Sequence, residues 1–200
     1  EINYKNERFA DKKVHKYNPI DQFVGDDYKY FYYGNAVNFS QGGYGIATIS
    51  SLPLQDEETV NLVLNALSDK YRSEFERLYQ EYNPTDKKTV NAMNAMWDKN
   101  GIVTQGVMEP RVYTRVEVEK EGKKIAFYNT HLSFESQAYR KKQMQQIMQA
   151  MTNDPVKYQI LVGDFNADQS TKEWDLWREK FTIANGADHI WYDTFIDEDP

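Results

Sequence analysis

The chain has 200 residues, with 24 basic and 31 acidic side chains, a formal charge of −7 and no cysteine. That length is enough for one domain with a sizeable core. The composition excludes a disulfide framework and thiolate chemistry, and the acid excess excludes general attraction to polyanions. No apolar run approaches the ~20 residues that a membrane-spanning helix needs.

Residues 1–17 are polar and charged and read as a surface segment, with His15 solvated in it. Asn18-Pro19 is a helix-start signal, an N-cap followed by proline at the first helical position. It predicts a short helix to about Gly25 that buries Ile20, Phe23 and Val24. Tyr28–Tyr33, YKYFYY, is aromatic and strand-like. Gly42-Gly43 then turns the chain into a strand over Tyr44–Ser50.

Between Asp56 and Asn100 the pattern changes. Val60, Val63, Leu64, Leu67, Tyr71, Phe75, Leu78 and Tyr82 recur at helical spacing. Asp56 is a candidate N-cap, with Glu57 and Glu58 in the first turn. Asn83-Pro84 ends that helix, and Thr85 can cap a second one over Asp86–Lys99. The reading is a helical hairpin, residues 56–100, inserted between sheet strands, with Leu67, Tyr71 and Phe75 buried. It is either a decoration or an element lining a cleft.

Val112–Glu119 and Lys124–Asn129 read as a β-hairpin turning at Glu121-Gly122. An amphipathic helix follows over Gln137–Met151, its apolar side made by Tyr139, Met144, Ile147, Met148 and Met151. Ser170 or Thr171 caps a further helix carrying Trp174 and Trp177. The chain opens at Glu1 and stops at Pro200 just after a strand-like Trp191–Phe195, so both ends read as cut.

Two strands end in polar groups. KIAFYNTHL (124–132) delivers Asn129 and His131. YQILVGDFN (158–166) is an apolar run of the kind that fills a buried strand, and it breaks at Gly163 to deliver Asp164 and Asn166. Side chains two apart in an extended chain share a face, so each pair emerges together where a strand ends. A rigid element behind and solvent in front is a common mount for chemistry.

GDFN with an upstream THLS resembles the endonuclease/exonuclease/phosphatase superfamily, metal-dependent phosphodiesterases similar to pancreatic deoxyribonuclease. GYGIATISSLPL (43–54) is similar to a strand of that family, and Arg140 and Gln143 match its R-x-x-Q on the helix after THL. Glu1-Ile2 resembles the end of its Q-E-[VI] metal motif. The resemblance covers most of the chain apart from roughly residues 55–107 and departs from the family pattern at Ile46 and Ser51. It implies one incomplete domain over residues 1–200, an α/β (α+β) four-layer α/β/β/α sandwich with two mainly antiparallel sheets.

A phosphodiester resists attack because its oxygens are negative, so an enzyme must position water and neutralise charge. The resemblance implies that Asp164 orients or deprotonates that water and that Asn166 donates to a phosphate oxygen. It implies that His131 stabilises phosphate charge or passes a proton to the leaving oxygen. Arg111 and Asn129 become phosphate contacts, and Glu1 becomes the ligand of Mg²⁺ or Mn²⁺. Asp188-His189 superficially offers the family's terminal Asp-His but comes too soon after Asn166, and reads as the approach to the Trp191–Phe195 strand. Without that terminal motif, the chain by itself is expected to be catalytically impaired.

The expected function is hydrolysis of a phosphodiester, with DNA or RNA as the first substrate class. The alternatives are a lipid-headgroup or inositol-phosphate phosphoesterase of the sphingomyelinase or phosphatase branches, and a non-catalytic binding module of the same fold.

Overall fold

The structure, a computed structural model, describes residues 2–5, 18–39, 41–62, 73–74, 77–78, 80–81, 86–99, 110–134, 137–167 and 171–182. The chain divides into two compact units, Glu1–Phe165 and Asn166–Pro200. The first is an α+β sandwich of two mainly antiparallel sheets with helices, as the fold-class reading anticipated.

The smaller sheet has the order β1 (Ile2–Tyr4), β3 (Gly42–Ser50), β2 (Tyr30–Phe39), all antiparallel. A bulge between Asn35 and Val37 re-aims the second half of β2. The larger sheet runs β4 (Gln55–Asn61), β5 (Val112–Lys120), β6 (Lys123–His131), β7 (Tyr158–Asp164). Strands β2 and β3 pack on β4, β5 and β6, so the core lies between the sheets. Ala36, Ile46 and Val112 cluster there. Strand β5 is buried on both faces over most of its length, and its side away from the core carries a charged network.

That network ties the sheet to the turn before β7. Arg115 Nε donates to Asp154 Oδ2 at 2.6 Å, and its Nη2 donates to Glu117 and to the second Asp154 oxygen. Tyr128 Oη and the Val156 amide also donate to Asp154. Burial alone would push the Asp154 carboxyl up. The Arg115, Tyr128 and Val156 donors outweigh it and hold that carboxyl down at about 2.

The β5–β6 hairpin turns where expected. Glu121 and Gly122 have φ of 53° and 72°, the left-handed pair that a two-residue hairpin turn requires. Helix α1 covers Lys87–Lys99, with the Lys88 amide donating to Asp86 Oδ1, so Asp86 caps it. Helix α2 covers Gln137–Asn153 and buries Gln143, Met144 and Ile147. In the second unit, Thr171 caps α3 (Lys172–Arg178), which buries Trp174 and Trp177. Among the described residues no helix is long and apolar enough to cross a membrane.

Four expectations need correction. Residues 55–61 are not the start of a helix: they form β4, the partner of β5. Val60 fits a helical period, but Thr59 and Val60 are β-branched, and the free edge of β5 supplies backbone partners that a helix would leave unpaired. Later described residues of the 56–100 segment (Ser73, Glu74, Arg77, Leu78, Gln80, Glu81) are helical, whereas Leu67, Tyr71 and Phe75 lie outside the described residues. The Asn18-Pro19 signal starts only a 3-10 turn, Pro19–Gln22, which buries Ile20 and leaves Phe23 61% exposed. Strand β7 is an edge strand among those described, not an interior one, with Ile160 and Val162 each 42% exposed. Finally, the alternation that would align Asn166 with Asp164 stops at Asp164, where β7 ends.

Candidate functional site

Strands β6 and β7 run parallel, joined through α2, and their C-terminal ends finish side by side. Their register pairs Asn129 with Val162, Thr130 with Gly163 and His131 with Asp164. Gly163 makes this fit possible. Its φ is 140°, and a Cβ there would collide with the Thr130 carbonyl. Beyond the strands, the Leu132 amide donates to the Asp164 carbonyl at 2.9 Å and locks the two ends together.

His131 Nε2 lies 3.5 Å from Asp164 Oδ2. That distance is loose for a hydrogen bond. The His131 side chain is 10% exposed and the Asp164 side chain 61% exposed, so the pair joins a fixed imidazole to a solvent-facing carboxylate. Arg111 stands behind the ring, its Nη1 donating to His131 Nδ1 at 3.1 Å. A guanidinium can only donate, so Nδ1 accepts and the ring proton of this tautomer sits on Nε2, toward Asp164. Arg111 is 3% exposed, which suits orienting the ring better than reaching a substrate in solvent.

A cavity of about 10 Å³, the room of a single water, adjoins Arg111 and His131 and is lined in part by Tyr44, Ile46 and Pro110. The aliphatic Ile46 gives that wall no polar group. Asn129 shares the His131 face, but its Nδ2 donates to the Ala47 carbonyl at 3.0 Å and to Thr48 Oγ1 at 3.2 Å. Both amide hydrogens therefore bridge the sheets, and what remains for a ligand is the acceptor Oδ1.

The segment after His131 is held by α2. The Ser133 amide donates to Gln143 Oε1 at 2.9 Å, and Gln143 Nε2 donates to Ser133 Oγ at 2.8 Å. Both residues are fully buried. Arg140 Nη1 donates to the Ser133 and Phe134 carbonyls. The sequence reading missed this clamp as a device. Gln143 lies four residues after Tyr139 and four before Ile147, so a polar side chain on the apolar stripe was the available signal.

Of the residues expected at the site, the structure brings His131, Asp164 and Arg111 together and places Asn129 two residues back on β6. Asn166 opens the second unit, with a φ of 48° that asparagine tolerates. Glu1, His15, Asp188, His189 and Trp191–Phe195 lie outside the described residues. Among the described residues no three His, Asp or Glu side chains gather as a metal site. The donor there that suits a hard cation is the exposed Asp164 carboxylate, and Mg²⁺ accepts one carboxylate with phosphate and water oxygens.

No family model matches the chain, and no curated protein matches it. Two solved structures are similar to parts of it. One is an endonuclease/exonuclease/phosphatase family protein from Bacteroides thetaiotaomicron, 24% identical over 36% of this chain and 28% of that one, with a TM-score of 0.31. The other is an endonuclease/exonuclease/phosphatase family protein from Leptotrichia buccalis C-1013-b, 16% identical over 84% of this chain, with a TM-score of 0.44. The chain spans about half (52%) of that second protein.

Proposed function

We propose that the protein is a phosphoesterase that hydrolyses phosphodiester bonds, nuclease-like in its choice of substrate. The observation that carries the reading is the His131–Asp164 pair at the adjoining ends of two parallel strands, with Arg111 orienting the ring. In this reading the Asp164 carboxylate accepts a hydrogen bond from water and takes its proton as the oxygen attacks phosphorus. His131 donates an Nε2–H hydrogen bond to a phosphate oxygen, and the leaving oxygen takes a proton from solvent water as its bond to phosphorus breaks, while Asp164 releases to solvent the proton it took. Arg111 fixes the ring that makes this donation. Asn129 bridges the sheets behind it. Mg²⁺ or Mn²⁺, when bound, supplies charge neutralisation at the phosphate, with Asp164 and the sequence candidate Glu1 as its carboxylates.

A second reading, a phosphate-binding module without turnover, draws on Ile46, which gives the cavity beside His131 an apolar wall. The test is turnover of bis(p-nitrophenyl) phosphate with Mg²⁺. The hydrolase reading expects activity that a chelator removes and that Asp164→Ala lowers at least about 100-fold. An inactive wild type that still binds phosphate supports the second reading.

A further inference from the structure

We propose that Phe134 is a specificity-determining residue that stacks against a nucleobase of the substrate; this rests on the phosphodiesterase reading above and names the substrate class as a short nucleotide diester. Phe134 is 53% exposed, a large apolar ring standing in solvent. Its backbone is nonetheless firmly held. The neighbouring Ser133 is fully buried in the Gln143 clamp, and Arg140 donates to the carbonyls of both Ser133 and Phe134. A side chain shown on a pinned backbone loses little further freedom on binding. The ring lies against the site itself: the Arg111 guanidinium carbon is 6.0 Å from its centroid, and that same guanidinium donates to His131.

A flat apolar surface beside a phosphate-cutting pair fits a substrate whose phosphate is linked to a planar ring. A lipid surface fits less well. Membrane insertion draws on several apolar side chains with basic residues around them, whereas this chain carries a net charge of −7. The same charge gives a long polyanion no steering, so affinity for a short nucleotide diester has to come from local contacts such as stacking.

The experiment compares wild type, Phe134→Leu and Phe134→Trp with Mg²⁺ on two diesters, thymidylyl-thymidine and the ring-free glycerophosphocholine. Each variant is first checked by circular dichroism. For Phe134→Leu, the ratio of kcat/KM for the dinucleotide to that for glycerophosphocholine is expected to fall about tenfold, mostly through KM. Phe134→Trp should hold the ratio within about threefold, because it keeps a ring. Calorimetric binding of the dinucleotide to wild type and Phe134→Leu reads the same contact without turnover. If wild type cuts neither diester, the hydrolase reading falls, and binding that weakens about tenfold in Phe134→Leu still upholds the stacking. An unmoved ratio with unmoved binding overturns the proposal, as does a wild type that fails to bind the dinucleotide. Phe134-dependent binding to phosphatidylcholine vesicles in place of the dinucleotide overturns it in favour of a lipid surface.

Discussion

His131 and Asp164 are neighbours because β6 and β7 are parallel and end in step. Their Cα atoms are register partners, and Nε2 lies 3.5 Å from Oδ2. An antiparallel β7 would have brought its other end, Tyr158, to His131 and sent Asp164 to the far end of the sheet. The α2 crossover therefore does more than cover the sheet. It lets two strands deliver their last residues to one place.

Arg111 is placed to orient His131 more than to touch phosphate. Arg111→Met should lower kcat about tenfold or more with a smaller change in KM, because the ring loses the donor that selects its tautomer. Nitrogen NMR of the imidazole should show the Nε2–H form in wild type and a mixture in the variant. A rise in KM alone would mean that the guanidinium binds substrate directly.

Gln143 holds the backbone that follows His131. Gln143→Leu leaves the Ser133 amide and hydroxyl unsatisfied in a fully buried position. The expected loss is about 1–3 kcal/mol in urea denaturation. Turnover should fall through kcat, since the clamp positions groups rather than binding substrate. A variant as stable and active as wild type would show that the clamp is idle.

Asp154→Ala should be the most destabilising of these changes, by about 3 kcal/mol, because it removes the acceptor shared by the half-buried Arg115 and the buried Tyr128 and leaves Arg115 with Glu117 as its carboxylate partner. The pH dependence has a definite sign. The folded carboxyl sits at about 2, below its ordinary value near 4. Its contribution is therefore complete above about 4 and fades as the pH falls toward 2. Urea midpoints of wild type and variant should converge across that window and stay apart at pH 6. A constant gap would exclude the carboxylate as its source.

Much of the fold was legible because its signals are local. Glu121-Gly122 demands a tight hairpin turn, and the Met144 and Ile147 stripe an amphipathic helix. The two strand ends were legible too, since polar groups directly after apolar runs mark where a strand meets solvent. What failed depends on distant partners. Residues 55–61 carry three consecutive acids and a valine in helical register, and only pairing to β5 makes them a strand. The run 160–162 reads as interior, but whether a strand is central or at an edge depends on which strands flank it. The role of Arg111 was invisible because nothing near it in sequence points to His131, twenty residues on.

In the proposed reaction His131 and Asp164 act as one unit. The most direct measurement is a double-mutant cycle on kcat/KM for a phosphodiester, using His131→Ala, Asp164→Asn and the pair together, with each variant checked for an unchanged fold. Each single change is expected to cost about 100- to 10,000-fold, and the double change no more than the larger single one, because groups that serve one step fail together. Losses that multiply independently, or a single variant that keeps wild-type turnover, would contradict it.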